Sequence, residues 1–309
     1  MDWISLALIS AIFLGLYDIA KKASLTDNAV PVVLLVNVAT AAAIWSIPLT
    51  LVMCPTVSGL IGVPDQWLDD WNCLKDLSRW DHLLLFLKSL LVGSSWIAAF
   101  YALKHLPISI ATPIRSTSPI WTILLAVMFM QERPTAHQWI GVTITLIAFL
   151  AFSRVGAKEG IEFHRDRWIL LIMIATALGA ISSLYDKYLL QTMAMSPESV
   201  QAWFSIYLVP VMIPLSVHWY LRDRDASPFQ WRWTIPVIAI FLLIADYAYF
   251  YAITHEQALI SVISPIRRSS IVIPFLFGVT RLKEVNWRAK ALCIASLIIG
   301  VILLSNSST

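Results

Sequence analysis

Long apolar segments, each about as long as a membrane is thick, restrict most strongly how this chain can fold. Crossing ~30 Å of hydrocarbon takes about 20 apolar residues in a helix. We identify ten such segments, at 3–22, 29–53, 82–103, 108–130, 136–154, 168–189, 198–221, 234–253, 258–280 and 287–305. Only 13% of the residues are charged, whereas soluble domains average about 25%. The sequence therefore predicts an all-α integral membrane protein with ten transmembrane helices.

Four sequence echoes between the two halves indicate an internal duplication. LGLYDIAKKAS at 14–24 is matched by SSLYDKYLLQT at 182–192, and FYALKH at 100–105 by FYAITH at 250–255. TPIRSTS at 112–118 is matched by SPIRRSS at 264–270, at an offset of 152 residues. Glu132 and Glu284 are separated by the same offset and form the fourth echo. Chance would rarely place four such echoes in one order.

The number of segments per repeat predicts how the two halves are arranged. Each half, 1–155 and 156–309, holds five segments. Five is odd, so the second half must cross the membrane in the opposite sense to the first. Inverted repeats of this kind are a recurrent architecture of secondary transporters, with substrate bound near the midplane between the repeats.

The ends of the two repeats resemble a known family. SPIWTILLAVMFMQERPTAHQWIGVTITLIAFLAF (118–152) and SSIVIPFLFGVTRLKEVNWRAKALCIASLIIGVILL (269–304) are similar to the EamA-type ten-helix branch of the drug/metabolite transporter superfamily. The resemblance rests on Pro119 and on Gln131-Glu132-Arg133, and it implies a central cavity surrounded by the first, third, fourth, sixth, eighth and ninth segments. Ile271 replaces the proline expected opposite Pro119.

Polar residues recur three or four positions apart along the fourth and ninth segments, which places them on one helix face. The first stripe is Ser109, Thr112, Arg115 and Ser116, and the second is Ser261, Ser264, Arg267 and Arg268. An ionisable residue within a span costs about 2.5–3.5 kcal/mol on insertion scales. Both stripes are therefore predicted to face the interior rather than lipid.

Two interpretations of the repeated charges remain open. Arg115 and Arg267 could bind an anionic group of a substrate, because a guanidinium forms paired hydrogen bonds with carboxylate or phosphate. Alternatively, the symmetry mates Asp18 and Asp186 could neutralise them and merely tie helices together, as buried ion pairs often do. In the first interpretation the two aspartates are partners of the arginines or coupling acids.

Asp246 and Arg268 break the symmetry, because their first-half counterparts are Trp96 and Ser116. We predict a structural ion pair between Asp246 and Arg268, and the alternative is that Asp246 couples transport to protons.

Aromatic residues within the third and eighth segments are candidate walls of the cavity. Trp96, Tyr101, Tyr247, Tyr249 and Tyr251 could stack on a ring or enclose a cation. Ordinary helix packing is the alternative for each of them.

No catalytic, metal or cofactor pattern is evident in the sequence. The six histidines are scattered without metal-ligand spacing, and neither GxSxG nor a glycine-rich phosphate loop occurs. We therefore expect no enzyme activity, no metal and no cofactor. No basic run suggests nucleic acid; the expected partners are a small-molecule substrate and membrane lipids, with the chain a monomer or a homodimer.

The distribution of basic residues and the family resemblance predict opposite orientations of the chain in the membrane. Fourteen basic residues lie on the side of the odd-numbered connections against five on the other, which places both termini outside. The resemblance implies the opposite orientation, because relatives of that family usually keep both termini in the cytoplasm. The first orientation would expose Cys54 and Cys73 to an oxidising compartment, where they could form a disulfide.

These observations predict a multi-pass protein of the cell inner (plasma) membrane. Its expected function is secondary-active transport, by alternating access, of a small anionic or zwitterionic metabolite. Two alternatives stay open: a flippase for a lipid-linked intermediate, which needs a lateral opening for an acyl chain, and a non-transporting scaffold.

Overall fold

The computed structural model describes residues 2–62, 64–129, 136–157, 166–255, 258, 260–281 and 287–305. Within these ranges the chain is helical, with no strand, so the all-α prediction is confirmed there. The helices are α1 Trp3–Leu25, α2 Val30–Met53, α3 Pro55–Ile61, α4 Asp65–Asp70, α5 Arg79–His105, α6 Ile108–Ser116, α7 Ser118–Phe129, α8 Ala136–Ala157, α9 Arg167–Lys187, α10 Pro197–Arg222, α11 Thr234–Thr254, α12 Ile260–Arg268, α13 Val272–Thr280 and α14 Trp287–Ser305. Glu132 and Glu284 lie outside the described residues.

Six of these helices are long and apolar enough to cross a membrane: α1, α2, α5, α10, α11 and α9 together with the π-helical turn Tyr188–Thr192 that extends it. Their ends differ from the predicted segments by three residues at most. The chain is thus a multi-pass membrane protein.

The fourth and ninth predicted segments are helical but interrupted. The fourth is divided at Thr117 into α6 and α7. In the ninth, the 3₁₀ turn Ser269–Ile271 separates α12 from α13, although Ile271 stands where the resemblance expects a proline. The two interruptions begin 152 residues apart, which is the offset of the sequence repeat.

Local capping explains where several long helices begin. The Asp2 carboxylate accepts a hydrogen bond from the Ser5 amide at the start of α1. Ser78 and Asp81 form a reciprocal capping box at the start of α5, and the Asp166 side chain accepts from the Trp168 amide at the start of α9. Such bonds satisfy amides that have no partner within the helix.

Helix packing pairs elements from the two halves. α1 lies against α11 and α5 against α9, while α2 packs on α10 and α8 on α14. Large apolar side chains such as Leu8, Ile12 and Leu170 point outward with 48–60% of their surface exposed. Polar side chains such as Lys21, Lys88 and Asp186 are instead buried. This distribution fits a lipid environment, because lipid accepts apolar surface and penalises charge.

Candidate functional site

A polar cavity of about 110 Å³ lies among the helices of both halves. Its walls come from α1, α5, α6, α7, α9, α11 and α12, with Phe204 as the contribution of α10. Apart from α10, these helices belong to the six segments that the family resemblance implied.

Charged side chains of both signs line this cavity beside apolar ones. Five basic residues line it: Lys21, Lys88, Arg115, Arg267 and Arg268. Two carboxylates, Asp186 and Asp246, line it as well, and a third, Asp18, pairs with Arg115 and Lys21 at its edge. Among the described residues, the fully ionised site therefore carries a surplus of two positive charges.

Asp18 holds two of the cations at once. Its Oδ1 accepts hydrogen bonds from Arg115 Nη1 at 2.6 Å and from Lys21 Nζ at 2.8 Å. The Lys21 ammonium also lies 4.3 Å from the centre of the Tyr17 ring, a favourable cation–π distance. Asp18 thus contacts the first repeated arginine.

Asp186, the symmetry mate of Asp18, has a different partner. It accepts a hydrogen bond from Lys88, and both side chains are buried. The Lys88 ammonium lies 4.6 Å from the Phe204 ring centre and 5.1 Å from that of Phe250. Neither repeated arginine is the ion-pair partner of Asp186 in the structure.

Asp246 pairs with Arg267 rather than with Arg268, which corrects the predicted pair. Arg267 Nη2 donates to Asp246 Oδ1 at 2.8 Å, and its guanidinium lies 3.8 Å from the centre of the Tyr249 ring. Neighbouring residues on a helix point about 100° apart, so only one of two adjacent arginines can face α11 in this way. Among the described residues, Arg268 forms no ion pair.

Among the described residues, four buried hydrogen-bond donors of the cavity have no partner: Ser118 Oγ, Tyr249 Oη, Arg267 Nε and Arg268 Nε. A buried donor left unsatisfied costs about 1–3 kcal/mol. The cavity thus presents hydrogen-bond donors that the described residues leave unsatisfied.

Of the five predicted aromatic wall residues, the structure brings Trp96 and Tyr249 to the cavity, where Trp96 meets Phe204 edge-on with ring centres 6.1 Å apart. Tyr101 instead packs beside the apolar core. Tyr247 and Tyr251 lie one helical turn apart on another face of α11, outside the cavity. Ser109, Thr112, Ser116 and Ser261 have side chains outside the described set.

An apolar groove of about 830 Å³ receives Tyr247 and Tyr251. We call it the lateral groove; it runs between α1, α2, α10 and α11, and Trp71 of the α2–α5 connection lies at its wall. Both tyrosine hydroxyls donate to Glu198 Oε1, at 3.0 Å and 2.6 Å. A void of about 10 Å³ lined by Gln201 and Asp246 lies between this groove and the cavity.

Sequence reasoning missed Lys21 and Lys88, which it counted as charges flanking the membrane. They are 1% and 2% exposed and line the cavity. Lys88 could have been found, because it falls inside the predicted third segment and an ionisable residue there requires a partner.

The structure does not contain the suggested disulfide between Cys54 and Cys73. Cys54 marks the end of α2, where its amide donates to Thr50. Cys73 belongs to the short turn Asn72–Leu74. Its backbone carbonyl accepts a hydrogen bond from the Ser199 hydroxyl of α10 at 2.7 Å. Each cysteine is thus fixed to a different neighbour.

Among the described residues, no group of three His, Cys, Asp or Glu side chains could hold a metal ion.

Comparison with known proteins identifies transporters. The sequence model of the EamA-like transporter family matches residues 1–154. A riboflavin transporter of Brucella anthropi is 32% identical over 160 residues, covering 49% of this chain and 51% of the relative. An S-adenosylmethionine uptake transporter of Rickettsia bellii is 23% identical over 150 residues, 48% of each chain. These alignments span about half the length of the relatives.

A solved crystal structure has the same fold over almost the whole chain. It covers 97% of this chain and 96% of its own, with a TM-score of 0.62 at 18% sequence identity. At that identity the likeness concerns the fold alone.

Proposed function

We propose that this chain, which belongs to the EamA-like transporter family through its residues 1–154, is a secondary-active transporter of a small anionic or zwitterionic metabolite. The observation that carries the proposal is the cavity itself. Among the described residues, basic groups outnumber carboxylates there by two, and four buried donors have no partner. The names of the relatives support a small metabolite, and because they concern two different compounds they do not fix its charge.

Electrostatics supports an anionic group in the cargo. Like charges held in a poorly solvated site repel one another, and the repulsion is larger than in water because screening is weaker. Arg268 is the clearest case, since it sits near Arg115 and Arg267. An anionic group entering the cavity would relieve that repulsion and accept from the unpartnered donors.

We infer that α8, α14 and the two interrupted helices also cross the membrane, which gives ten spans in two inverted repeats at 1–155 and 156–309. The packing supports this inference. If α1 corresponds to α9 and α5 to α11, the contact of α1 with α11 has its counterpart in the contact of α5 with α9. α2 with α10, and α8 with α14, would then meet across the pseudo-twofold axis.

In this proposal the two repeats rock about the cavity in alternating access. The interruptions at Thr117 and at Ser269–Ile271 offer places where the backbone can bend, because fewer helical hydrogen bonds hold them.

We place the protein in the cell inner membrane. Discounting the buried Lys21, Lys88 and Lys290, the remaining charge count still favours both termini outside.

Arg268→Met is the sharpest test. Because Arg268 has no ion-pair partner among the described residues, its removal should leave the empty protein as stable as the wild type or more stable. The affinity for an anion should fall roughly tenfold or more, because the variant loses a hydrogen bond to a charged group. Thermal shifts of purified protein with a library of metabolites, followed by uptake into proteoliposomes, measure both quantities.

Arg222→Met, at the exposed end of α10, is the matched control and should bind as the wild type does. The proposal fails if no anionic or zwitterionic metabolite stabilises the wild type, or if Arg268→Met unfolds the empty protein while leaving affinity unchanged.

The lateral groove supports a second candidate, a flippase for a lipid-linked intermediate, because it offers an apolar surface beside the cavity. Uptake of a water-soluble cargo by proteoliposomes would count against it. Movement of a lipid-linked anion between leaflets, without uptake of a soluble one, would establish it.

A further inference from the structure

The lateral groove combines a mostly apolar wall with an aromatic cluster at one end. Its walls are mostly apolar and are formed by helices long enough to cross the membrane. On α11 they run from Leu243 to Tyr251, which is about 12 Å at 1.5 Å per residue. A wall of this length suits a stretch of hydrocarbon chain.

Four aromatic rings form a contiguous cluster at this groove. The ring centres of Trp45 and Trp71 are 5.8 Å apart, those of Trp45 and Tyr247 6.3 Å, and those of Tyr247 and Tyr251 5.0 Å. Each of the four side chains lines the groove. Because the face of an aromatic ring is negative, such a cluster attracts a cation.

A carboxylate completes this aromatic cluster. Glu198 Oε1 accepts from the hydroxyls of Tyr247 and Tyr251, so the negative charge is fixed beside the rings. Among the described residues, Glu198 forms no salt bridge. The charge is therefore available to an external cation.

The position of the cluster relates it to the membrane surface. Glu198 lies in the first turn of α10, Trp71 lies in the connection between α2 and α5, and Tyr251 lies in the last turn of α11. All three mark one end of the bundle, while Ile44 and Ile244 line the groove further along their helices. An occupant would thus have its cation at the helix ends and its apolar part deeper in the membrane.

We propose that the lateral groove binds a membrane lipid with a choline headgroup. Its quaternary ammonium contacts the aromatic cluster and Glu198, and an acyl chain lies along the apolar wall. Quaternary ammonium groups suit such a site because they interact with ring faces without requiring hydrogen bonds. This site is separate from the cavity, and its occupancy is independent of what the cavity carries.

Native mass spectrometry tests the proposal directly. The purified protein is supplied with equal amounts of phosphatidylcholine and phosphatidylglycerol that have identical acyl chains. The wild type should retain phosphatidylcholine in preference, and Glu198→Gln should reduce that preference roughly tenfold. Asp76→Asn, an exposed acid in the same connection, is the matched control and should keep the preference.

Two further variants test recognition of the headgroup and binding in the groove separately. Trp71→Leu removes one ring but keeps an apolar side chain, so it should lower the preference even if Glu198→Gln does not fold. Ile244→Trp fills the groove and should reduce retention of both lipids. Equal retention of the two lipids by the wild type, an unchanged preference in Glu198→Gln or Trp71→Leu, or full retention in Ile244→Trp would each overturn the proposal. Binding of metabolites in the cavity is measured separately and does not depend on these results.

Discussion

Replacing Lys88 by Met should destabilise the protein more than replacing Arg115 by Met, although Arg115 is the residue that the sequence repeat marks. Lys88 is 2% exposed and is the ion-pair partner of the buried Asp186. Asp18, the partner of Arg115, keeps Lys21 at 2.8 Å when Arg115 is removed. The two substitutions therefore leave very different environments for the remaining carboxylate.

The magnitudes follow from these environments. Leaving a buried charge without its partner costs about 3–5 kcal/mol, and the lost contacts of the ammonium with the Phe204 and Phe250 rings act in the same direction. Removing Arg115 costs only a hydrogen bond to a charged group, about 1.5–3 kcal/mol. Lys88→Met combined with Asp186→Asn removes both charges and should recover most of the loss.

Unfolding in mixed detergent micelles, followed by circular dichroism without ligand, gives the free energies of unfolding for these variants. The expected order of stability is wild type, Arg115→Met, Lys88→Met, with the double variant well above Lys88→Met. If Lys88→Met were as stable as Arg115→Met, or if the double variant were no better than Lys88→Met, the argument from unpaired buried charge would be refuted.

Two other predictions test the packing and the cysteines. Gly15→Ala should lower the free energy of unfolding by about 1–3 kcal/mol, because its new Cβ would lie 2.7 Å from Ile273 Cβ; Gly59→Ala, which meets nothing within 4 Å, should change it little in the same assay. Cys54, half-buried and not bridged, should react with a maleimide in the absence of reductant, whereas the buried Cys293 should react only after unfolding; mass spectrometry locates the adducts, and a Cys54 that needs reductant would contradict the structure.

Apolar length was sufficient to locate the six long helices, because hydrocarbon thickness sets the length of a span. The six long apolar helices end within three residues of their predicted bounds. Repeats in the sequence also indicated Arg115 and Arg267, both of which line the cavity.

Side-chain partners were much harder to predict. Whether Arg267 or Arg268 pairs with Asp246 depends on the rotation of α12 about its axis relative to α11, and no sequence pattern specifies that rotation. Tyr247, Tyr249 and Tyr251 were all assigned to the cavity because their helix borders it, yet of these three tyrosines only Tyr249 lines the cavity. Lys21 was overlooked because it precedes Lys22 at the end of a segment, where basic residues usually flank the membrane.

The surplus of two positive charges in the cavity has a consequence for how the membrane potential would act on the proposed transport cycle. Moving one elementary charge through the full potential changes the free energy by ~2.3 kcal/mol per 100 mV. An empty cavity that changes its exposure carries those charges through part of the field, whereas a cavity loaded with a dianion moves almost none. Return of the empty protein would then be the electrogenic step, and the potential would set the turnover rate through the unloaded state.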